Sequence, residues 1–338
     1  MPRFTVLLPV HRPPATLPYA IQTVLAQTLG DLELFVICDG APETTIGCAE
    51  EYAARDSRVT VLAYPKGERV GEAYRHLALG RAGSDYVAQI SDDDLWFPEH
   101  LAELAVLLGA VDFGHAVHTQ VRPDGAIEAL PPNLEDPALR DQLLRDNTLN
   151  RFGPTFAGYR LDAYRRLPEG WAPAPQTVQT DLHMWRKFLR CPGLHYGARM
   201  AITALHFPTP ERGHMSLEER AHENQRWHAR VRDPHERNMI VQMAWRSLVG
   251  RTLRLERECV RITGLHAAAR AELARLTEAR AEAVDELNRT AAANRRMETT
   301  LRAVLHSKSW RMTAPLRAVL TVAQRLRPKP PTNDPAAP

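Results

Sequence analysis

The chain has 338 residues, of which 44% are hydrophobic and 25% are charged, and its formal net charge at pH 7 is +3. This composition is typical of a globular protein, and the charge is too small to indicate nucleic-acid binding. The four cysteines lack CxxC or Cys/His spacing, which predicts reduced thiols in a cytosolic protein rather than a zinc site. The apolar run before Pro9 is too short for a signal peptide, and we expect no membrane span.

Short apolar runs alternate with segments of helical periodicity over the first 130 residues. The runs FTVLLPV, LELFVIC, VTVLAY and DYVAQI predict four strands, and the intervening segments predict helices near residues 17–28, 45–55 and 70–81. Continuous apolar strands joined by helices predict an α/β fold with a mainly parallel sheet covered on both faces.

Polar and acidic residues follow these strands at their carboxyl ends. They include residues 9–12, Asp39 with Gly40, and the triple aspartate of SDDDLWFP at residues 91–98. Ligands of parallel sheets bind at this edge, and carboxylates suit a hard cation such as Mg²⁺ or Mn²⁺. Because the sequence has no glycine-rich phosphate loop, a metal would have to neutralise a bound diphosphate. The pattern therefore predicts a nucleotide-diphosphate substrate.

Four segments follow one another over roughly residues 3–215: LLPVHRP, VICDGAPETT, GEAYRHLALGRAGSDYVAQISDDDLWFPEHL and TDLHMWRKF. In this order they resemble the signatures of the family 2 glycosyltransferases. The resemblance implies a GT-A, Rossmann-like fold and an inverting, metal-dependent transfer from a nucleotide sugar. Ser91 and Cys38 depart from the family pattern, since many members carry acids at these positions.

The resemblance also implies roles for individual residues. Asp39 would bind the nucleotide base beside Arg75, and Asp92 would approach the ribose or the sugar. Pro9 and His11 complete the implied donor-binding set. The implied metal ligands are Asp93 and Asp94, with His214 as a further candidate. We expect Asp93 to face solvent, so that its removal leaves the fold intact.

Inversion requires a base that takes the proton of the acceptor hydroxyl. Asp181 directly precedes a segment of helical periodicity, LHMWRKFL, so it is either this base or a helix N-cap. The family resemblance favours the base, and Asp162 and Glu169 are the alternative acids.

The segment between the acidic cluster and Asp181 predicts a hairpin around Pro123-Asp124-Gly125. The nearby histidines His115 and His118 are expected to be strand residues rather than metal ligands. Four aromatic residues have two interpretations, an acceptor-binding wall or packing beneath a loop. They are Phe152, Phe156, Tyr159 and Trp171.

After residue 215 the composition changes to Ala, Arg, Glu and Leu. Apolar residues at three-four spacing predict a long helix or a coiled coil, with Arg280 and Asn294 interrupting the seam, and a helical hairpin is the alternative. The basic segment around Trp310 predicts peripheral membrane contact, with self-association and simple packing as the alternatives. Its residues SKSWRMTAPLR resemble a motif of bacterial polysaccharide glycosyltransferases. We therefore expect a transferase domain at 1–215, a helical extension at 216–327 and a disordered tail at 328–338.

Together these features predict a cytoplasmic transferase that acts on a nucleotide sugar and a glycan or lipid-linked acceptor, in cell-surface polysaccharide synthesis. The helical extension also predicts a homo-oligomer. Two alternatives stay open: a nucleotidyltransferase, whose phosphate loop is missing, and a non-catalytic scaffold, which Ser91 and Cys38 favour.

Overall fold

A computed structural model describes residues 2–325 of the chain. Its strands are β1 (Phe4–Val10), β2 (Leu32–Asp39), β3 (Val59–Tyr64), β4 (Tyr86–Gln89), β5 (Leu95–Trp96), β6 (Phe113–Ala116), β7 (His118–Val121), β8 (Ile127–Leu130), β9 (Ala157–Arg160), β10 (Tyr196–Arg199) and β11 (Ala204–Leu205). Its helices are α1 (Leu17–Leu25), α2 (Glu43–Arg55), α3 (Glu72–Leu79), α4 (His100–Leu108), α5 (Pro137–Arg145), α6 (Leu161–Arg165), α7 (Thr180–Arg190), α8 (Leu217–Arg232), α9 (Pro234–His306), α10 (Lys308–Met312) and α11 (Ala314–Arg325).

Seven strands form one sheet in the order β10-β6-β9-β4-β1-β2-β3. Its strands run parallel except β9, which pairs antiparallel with both β4 and β6. Apolar side chains from alternate positions of the central strands enter two separate cores, one with α1, α2 and α4 and the other with α3, α6 and α7. The predicted α/β class, with helices covering both faces of a mainly parallel sheet, is confirmed.

The first four strands and three helices lie where the hydrophobic periodicity predicts them, within a few residues. The carboxyl ends of β1, β2 and β4 are neighbours in the sheet, because β1 pairs in parallel with both of the others. The polar residues that follow these strands therefore meet at one edge.

Two small antiparallel pairs complete the α/β region. The predicted hairpin is present as β7 and β8, and Gly125 in its turn has a φ of 83°. Strand β5, which starts directly after Asp94, pairs with β11. This pairing brings the segment after residue 205 beside the triple aspartate.

The chain divides into two compact units, Met1–Arg254 and Leu255–Pro338. This division lies within α9, beyond the whole of α8, and not at the boundary expected at residue 216. A third core explains the difference, since Trp227 and Val231 of α8 and Ile240 and Ala244 of α9 are buried among residues of the first unit.

The second unit contains the rest of α9, then α10 and α11. Most of its apolar side chains are exposed, including Leu273, Leu276, Leu287, Met297 and Leu301. A long helix was predicted here and is confirmed. Within the described part of the chain, the helices include none that is long and apolar enough to cross a membrane. The tail expected at 328–338 lies outside the described residues.

Candidate functional site

A cavity of about 280 Å³ opens at the carboxyl ends of β1, β2 and β4. Most of the residues predicted to bind a nucleotide sugar line it. The lining residues are Pro9, Val10, His11, Arg12, Asp39, Val70, Arg75, Gln89, Ser91, Asp92, Asp93, His206 and Thr209. Residues far apart in sequence meet here because the parallel strands end at one edge.

Arg12 joins the loop after β1 to the triple aspartate after β4. Its Nε and Nη2 donate to the two oxygens of Asp92 over 2.7 and 2.6 Å. Its Nη2 also lies 2.8 Å from Oδ2 of Asp93. The bidentate geometry is the strongest form of a guanidinium–carboxylate contact, so Arg12 fixes the direction of both carboxylates.

Asp93 is buried, contrary to the expectation that it faces solvent. Its Oδ2 also accepts hydrogen bonds from Arg220 of α8 over 2.6 Å and from Thr209 over 3.3 Å. Burial and the neighbouring carboxylates of Asp94 and Asp92 raise the pKa of Asp93 to about 6, although Arg12 opposes the shift.

Asp94 is fully buried and does not line the cavity, although its partner His206 does. Its oxygens accept from Nδ1 of His206, from the hydroxyl of Thr155 and from the backbone N–H of Phe207. Burial opposes ionisation, but His206 and the other donors prevail, so the pKa of Asp94 is lowered. Burial likewise opposes the charge on His206, and the Asp94 carboxylate outweighs it and raises the pKa of His206.

These contacts determine which residues fit a divalent cation. The hydrogen bonds and ion pairs of Asp93 converge on Oδ2, and within residues 2–325 no hydrogen bond reaches its Oδ1. One carboxylate oxygen with phosphate oxygens and water is a normal coordination set for Mg²⁺, so Asp93 fits. Asp94 does not fit, because both its oxygens are engaged. His214 is exposed and does not line the cavity, whereas His206 does.

The described residues accordingly contain no group of three His, Cys, Asp or Glu side chains able to hold a metal alone. Any metal here would need oxygen atoms from a ligand.

Asp39 ends β2 and is held by the loop after β3. Its Oδ2 accepts from Nζ of Lys66 over 2.5 Å and its Oδ1 from the N–H of Gly67 over 2.6 Å. Gly71 has a φ of 73°, and a Cβ there would lie 2.9 Å from the Asp39 carboxyl carbon. Glycine is required both by this backbone conformation and by the close approach.

Arg75 of α3 is a buried guanidinium with unused donors. Its Nη2 donates to the carbonyl of Val70 over 3.0 Å, and its guanidinium carbon lies 4.9 Å from the ring centre of Trp171. Its Nε and Nη1 are buried and have no partner among the described residues. Unpaired buried donors are costly, so Arg75 is suited to a ligand with acceptor atoms.

Asp181 lies in the first turn of α7, but it is not the N-cap, which is Gln179. Its Oδ2 accepts from Nδ2 of Asn150 over 3.0 Å. Burial raises its pKa, although the positive charge of Arg75 opposes the shift. The alternative acids Asp162 and Glu169 are exposed and paired with Arg160 and Lys187. Asp181 does not line the cavity either, but its charge interacts with those of Arg75 and His206, which do.

The four aromatic residues that could have formed either an acceptor-binding wall or packing beneath a loop are packing residues. Phe152, Phe156, Tyr159 and Trp171 are all buried in the core clusters or against neighbouring rings. His115 and His118 are buried strand residues of β6 and β7, as predicted.

Sequence reasoning missed the roles of Arg12, Lys66 and Arg220. Arg12 belongs to the segment LLPVHRP, which was predicted to lie at the same edge of the sheet as the triple aspartate. A basic residue near these acids was an available signal. Arg220 lies 127 positions after Asp93, and nothing in its local sequence connects it to the cluster.

Part of the chain matches a protein family and several known proteins. Residues 5–167 match the family model described as glycosyl transferase family 2. The chain is 36% identical over 106 residues to the succinoglycan biosynthesis protein ExoW of Rhizobium meliloti, covering 30% of this chain and 32% of that protein. It is 29% identical over 195 residues to the putative glycosyltransferase EpsE of Bacillus subtilis, covering 55% of this chain and 66% of that protein.

The structure also resembles S. aureus TarS 1-349, with a TM-score of 0.50 and 15% identity over 73% of this chain and 70% of that chain. At this identity the likeness concerns the fold alone. Among the relatives matched by sequence, the chain spans about a third of ExoW and just under two thirds of EpsE.

Proposed function

We propose that this chain, whose residues 5–167 match the family model described as glycosyl transferase family 2, transfers a sugar from a nucleotide-diphosphate donor to a hydroxyl of a glycan or lipid-linked acceptor. The observation that carries the proposal is the cavity where Asp39, Arg75, Asp92 and Asp93 converge. The similarity to ExoW, a succinoglycan biosynthesis protein, supports a role in cell-surface polysaccharide synthesis.

The donor would bind across this cavity. Asp39 is proposed to bind the nucleotide base, with Lys66 holding its carboxylate in place. Arg75 offers two free N–H donors to the donor molecule, and Pro9 and His11 line the same cavity. Asp92, whose direction is fixed by Arg12, is proposed to approach the ribose or the sugar.

A divalent cation, Mg²⁺ or Mn²⁺, is proposed to be held by Oδ1 of Asp93 together with diphosphate oxygens. When bound, such an ion would stabilise the negative charge that develops on the leaving diphosphate. Arg12 and Arg220 keep the Asp93 carboxylate in one orientation. This preorganisation lowers the cost of assembling the donor complex.

Asp181 is proposed to act as the base of an inverting transfer. The acceptor oxygen attacks the anomeric carbon, the bond from that carbon to the diphosphate breaks, and the hydroxyl proton moves to Asp181. Oδ1 is the suitable oxygen, because Oδ2 accepts the hydrogen bond from Asn150. The raised pKa of Asp181 supports this role, since a base works best when its pKa approaches the operating pH.

The second unit is proposed to serve two partners. Its basic, apolar end would contact an anionic membrane surface on the cytoplasmic side, near a lipid-linked acceptor. The exposed stripe of α9, formed by Leu273, Leu287 and Leu301, would pack against the same stripe of a second copy of the chain.

A binding screen tests the donor assignment. Nucleotide-diphosphate sugars are tested by thermal shift with Mg²⁺, with Mn²⁺ and with a chelator. We expect at least one donor to raise the melting temperature in a concentration-dependent way, and only with metal. The proposal fails if no nucleotide sugar shifts melting under any condition.

A further inference from the structure

We propose that Arg12 and Arg220 balance the charge of Asp92 and Asp93 in the donor-free protein, so that a divalent cation enters only together with the diphosphate. This inference rests on the proposed function, because it concerns the metal that the donor site would take. It assigns a role to Arg220, which lies outside the region that matches the family model.

Two carboxylates and two guanidiniums form one connected cluster. Arg12 donates to both oxygens of Asp92. Oδ2 of Asp93 lies 2.8 Å from Nη2 of Arg12 and 2.6 Å from Nη2 of Arg220. The side chains of Asp92 and Asp93 are 7% and 4% exposed, and those of Arg12 and Arg220 are 20% and 11% exposed. Solvent therefore screens these charges weakly, and their local sum controls which ions can enter.

The sum of these four charges is zero. A free divalent cation would bring two further positive charges beside two guanidiniums, without any added anion. A metal bound to a nucleotide diphosphate brings its own phosphate charges, which offset the charge of the ion. The neutral cluster thus disfavours the bare ion and accepts the complex.

Arg220 is held in place by contacts at the start of α8. Ser216 and Glu219 form a reciprocal capping box at the N-terminus of this helix. One turn after Arg220, Glu223 forms a buried bidentate ion pair with Arg212, at 2.6 and 2.7 Å. Arg212 in turn donates to the carbonyl of Val121. These contacts fix the first turn of α8, so Arg220 is a positioning residue for Asp93 rather than a mobile surface side chain.

The test measures Mn²⁺ binding to the full chain without nucleotide, by the electron paramagnetic resonance signal of free Mn²⁺. Three variants are compared with the unmodified chain: Arg220→Gln, which removes one positive charge, Arg220→Lys, which keeps it, and Arg226→Gln. Arg226 is exposed on the same helix and serves as the matched control.

We expect Arg220→Gln to bind Mn²⁺ alone at least about tenfold more tightly than the unmodified chain, an increase equivalent to about 1.4 kcal/mol. Arg220→Lys and Arg226→Gln should behave like the unmodified chain. A melting scan of each variant verifies folding, and the double variant Arg220→Gln with Asp93→Asn should lose the gained binding.

The inference is overturned if the unmodified chain binds Mn²⁺ alone as tightly as Arg220→Gln does, or if Asp93→Asn leaves the gained binding in place. A separate titration with nucleotide sugar plus Mn²⁺ distinguishes a failure of this inference from a failure of the proposed function. Donor binding without the expected Arg220 effect refutes only the inference, whereas absence of donor binding refutes the proposed function.

Discussion

Asn150 donates a hydrogen bond to Oδ2 of Asp181 over 3.0 Å, although the two residues are 31 positions apart. The contact orients the carboxylate from outside α7 and leaves its other oxygen available to accept a proton in the proposed transfer. Because the N-cap of α7 is Gln179, Asp181 is not needed to cap this helix. The chemical and structural roles of this acid can therefore be separated by experiment.

Asp181→Asn should lower turnover by about 10² to 10⁴-fold, the usual contribution of a positioned base. Asparagine keeps the shape and the hydrogen-bonding capacity but cannot take the proton, so donor affinity and melting temperature should change little. Turnover, donor affinity and melting are measured on one preparation. Asp162→Asn, at an exposed alternative acid, is the control and should be near normal. Normal turnover of Asp181→Asn would exclude it as the base.

The raised pKa of Asp181 predicts the acid side of the pH–rate profile. The base must be deprotonated to act, so the rate falls as pH decreases through its pKa in the folded protein. This loss should begin above the ordinary aspartate value of about 3.9. The profile of kcat/KM against pH measures where this loss begins. A rate that falls only near the ordinary aspartate pKa would contradict a buried environment for the Asp181 carboxylate.

Asp93→Asn should abolish metal-dependent donor binding and also destabilise the fold. The sequence suggested that this acid faces solvent, but it is buried and paired with Arg12 and Arg220. Removing one partner of a buried ion pair costs about 3–5 kcal/mol. The raised pKa of Asp93 means that the folded protein disfavours its charge, so the cost of the neutral asparagine should lie below this range. Urea unfolding and calorimetry with and without chelator measure the two effects. An unchanged unfolding free energy would show that the pairing contributes nothing to stability.

The Asp94–His206 pair should stabilise the protein within a limited pH range. The pKa of His206 is raised, so its contribution is full below about 6.5 and is lost as pH rises through the folded value. The pKa of Asp94 is lowered, so its contribution is present above about 3.9 and is lost as pH falls through the folded value.

The His206→Gln variant tests this range. Its deficit in unfolding free energy should be about 1.5–3 kcal/mol near pH 5, the value of a hydrogen bond to a charged group, and smaller near pH 9. Urea unfolding at both pH values provides the comparison. A deficit that grows with pH would contradict the assigned direction.

The end of the second unit should bind anionic membranes. Trp310, Leu316, Val319 and Leu320 are exposed in α10 and α11, among basic residues. Each Lys or Arg near an anionic surface contributes about 1 kcal/mol. Truncation after Asn294 should therefore reduce sedimentation with anionic vesicles and spare donor binding. Neutral vesicles are the control, and a full-length chain that stays in the supernatant at low salt would refute the contact.

The exposed stripe of α9 should mediate self-association. Leu273, Leu287 and Leu301 occupy alternate positions of a seven-residue repeat, with Arg280 and Asn294 at the positions between them, and Leu287 is 68% exposed. Leu287→Glu should shift the oligomer toward monomer in sedimentation velocity. Asn288→Glu, one position away and off the seam, adds the same charge and should leave assembly unchanged. A monomeric unmodified chain would refute the stripe as an interface.

The sequence by itself determined the order of strands and helices in the first 130 residues. Apolar runs of strand length and helical periodicity are local signals, and they report burial directly. The convergence of Asp39 and Asp92 also followed from sequence, because parallel strands joined by helices must end at the same edge. Likewise, three-four spacing was sufficient to predict α9.

Only the tertiary structure decided how the three aspartates divide their roles. Neighbouring residues of one turn point in different directions, and their partners come from segments more than 100 positions away, His206 for Asp94 and Arg220 for Asp93. The boundary after Arg254 was also decided only by the tertiary structure, because the amphipathic pattern of α8 does not identify the surface on which this helix packs. Side-chain pairing across such separations depends on the folded path of the backbone, which local periodicity does not encode.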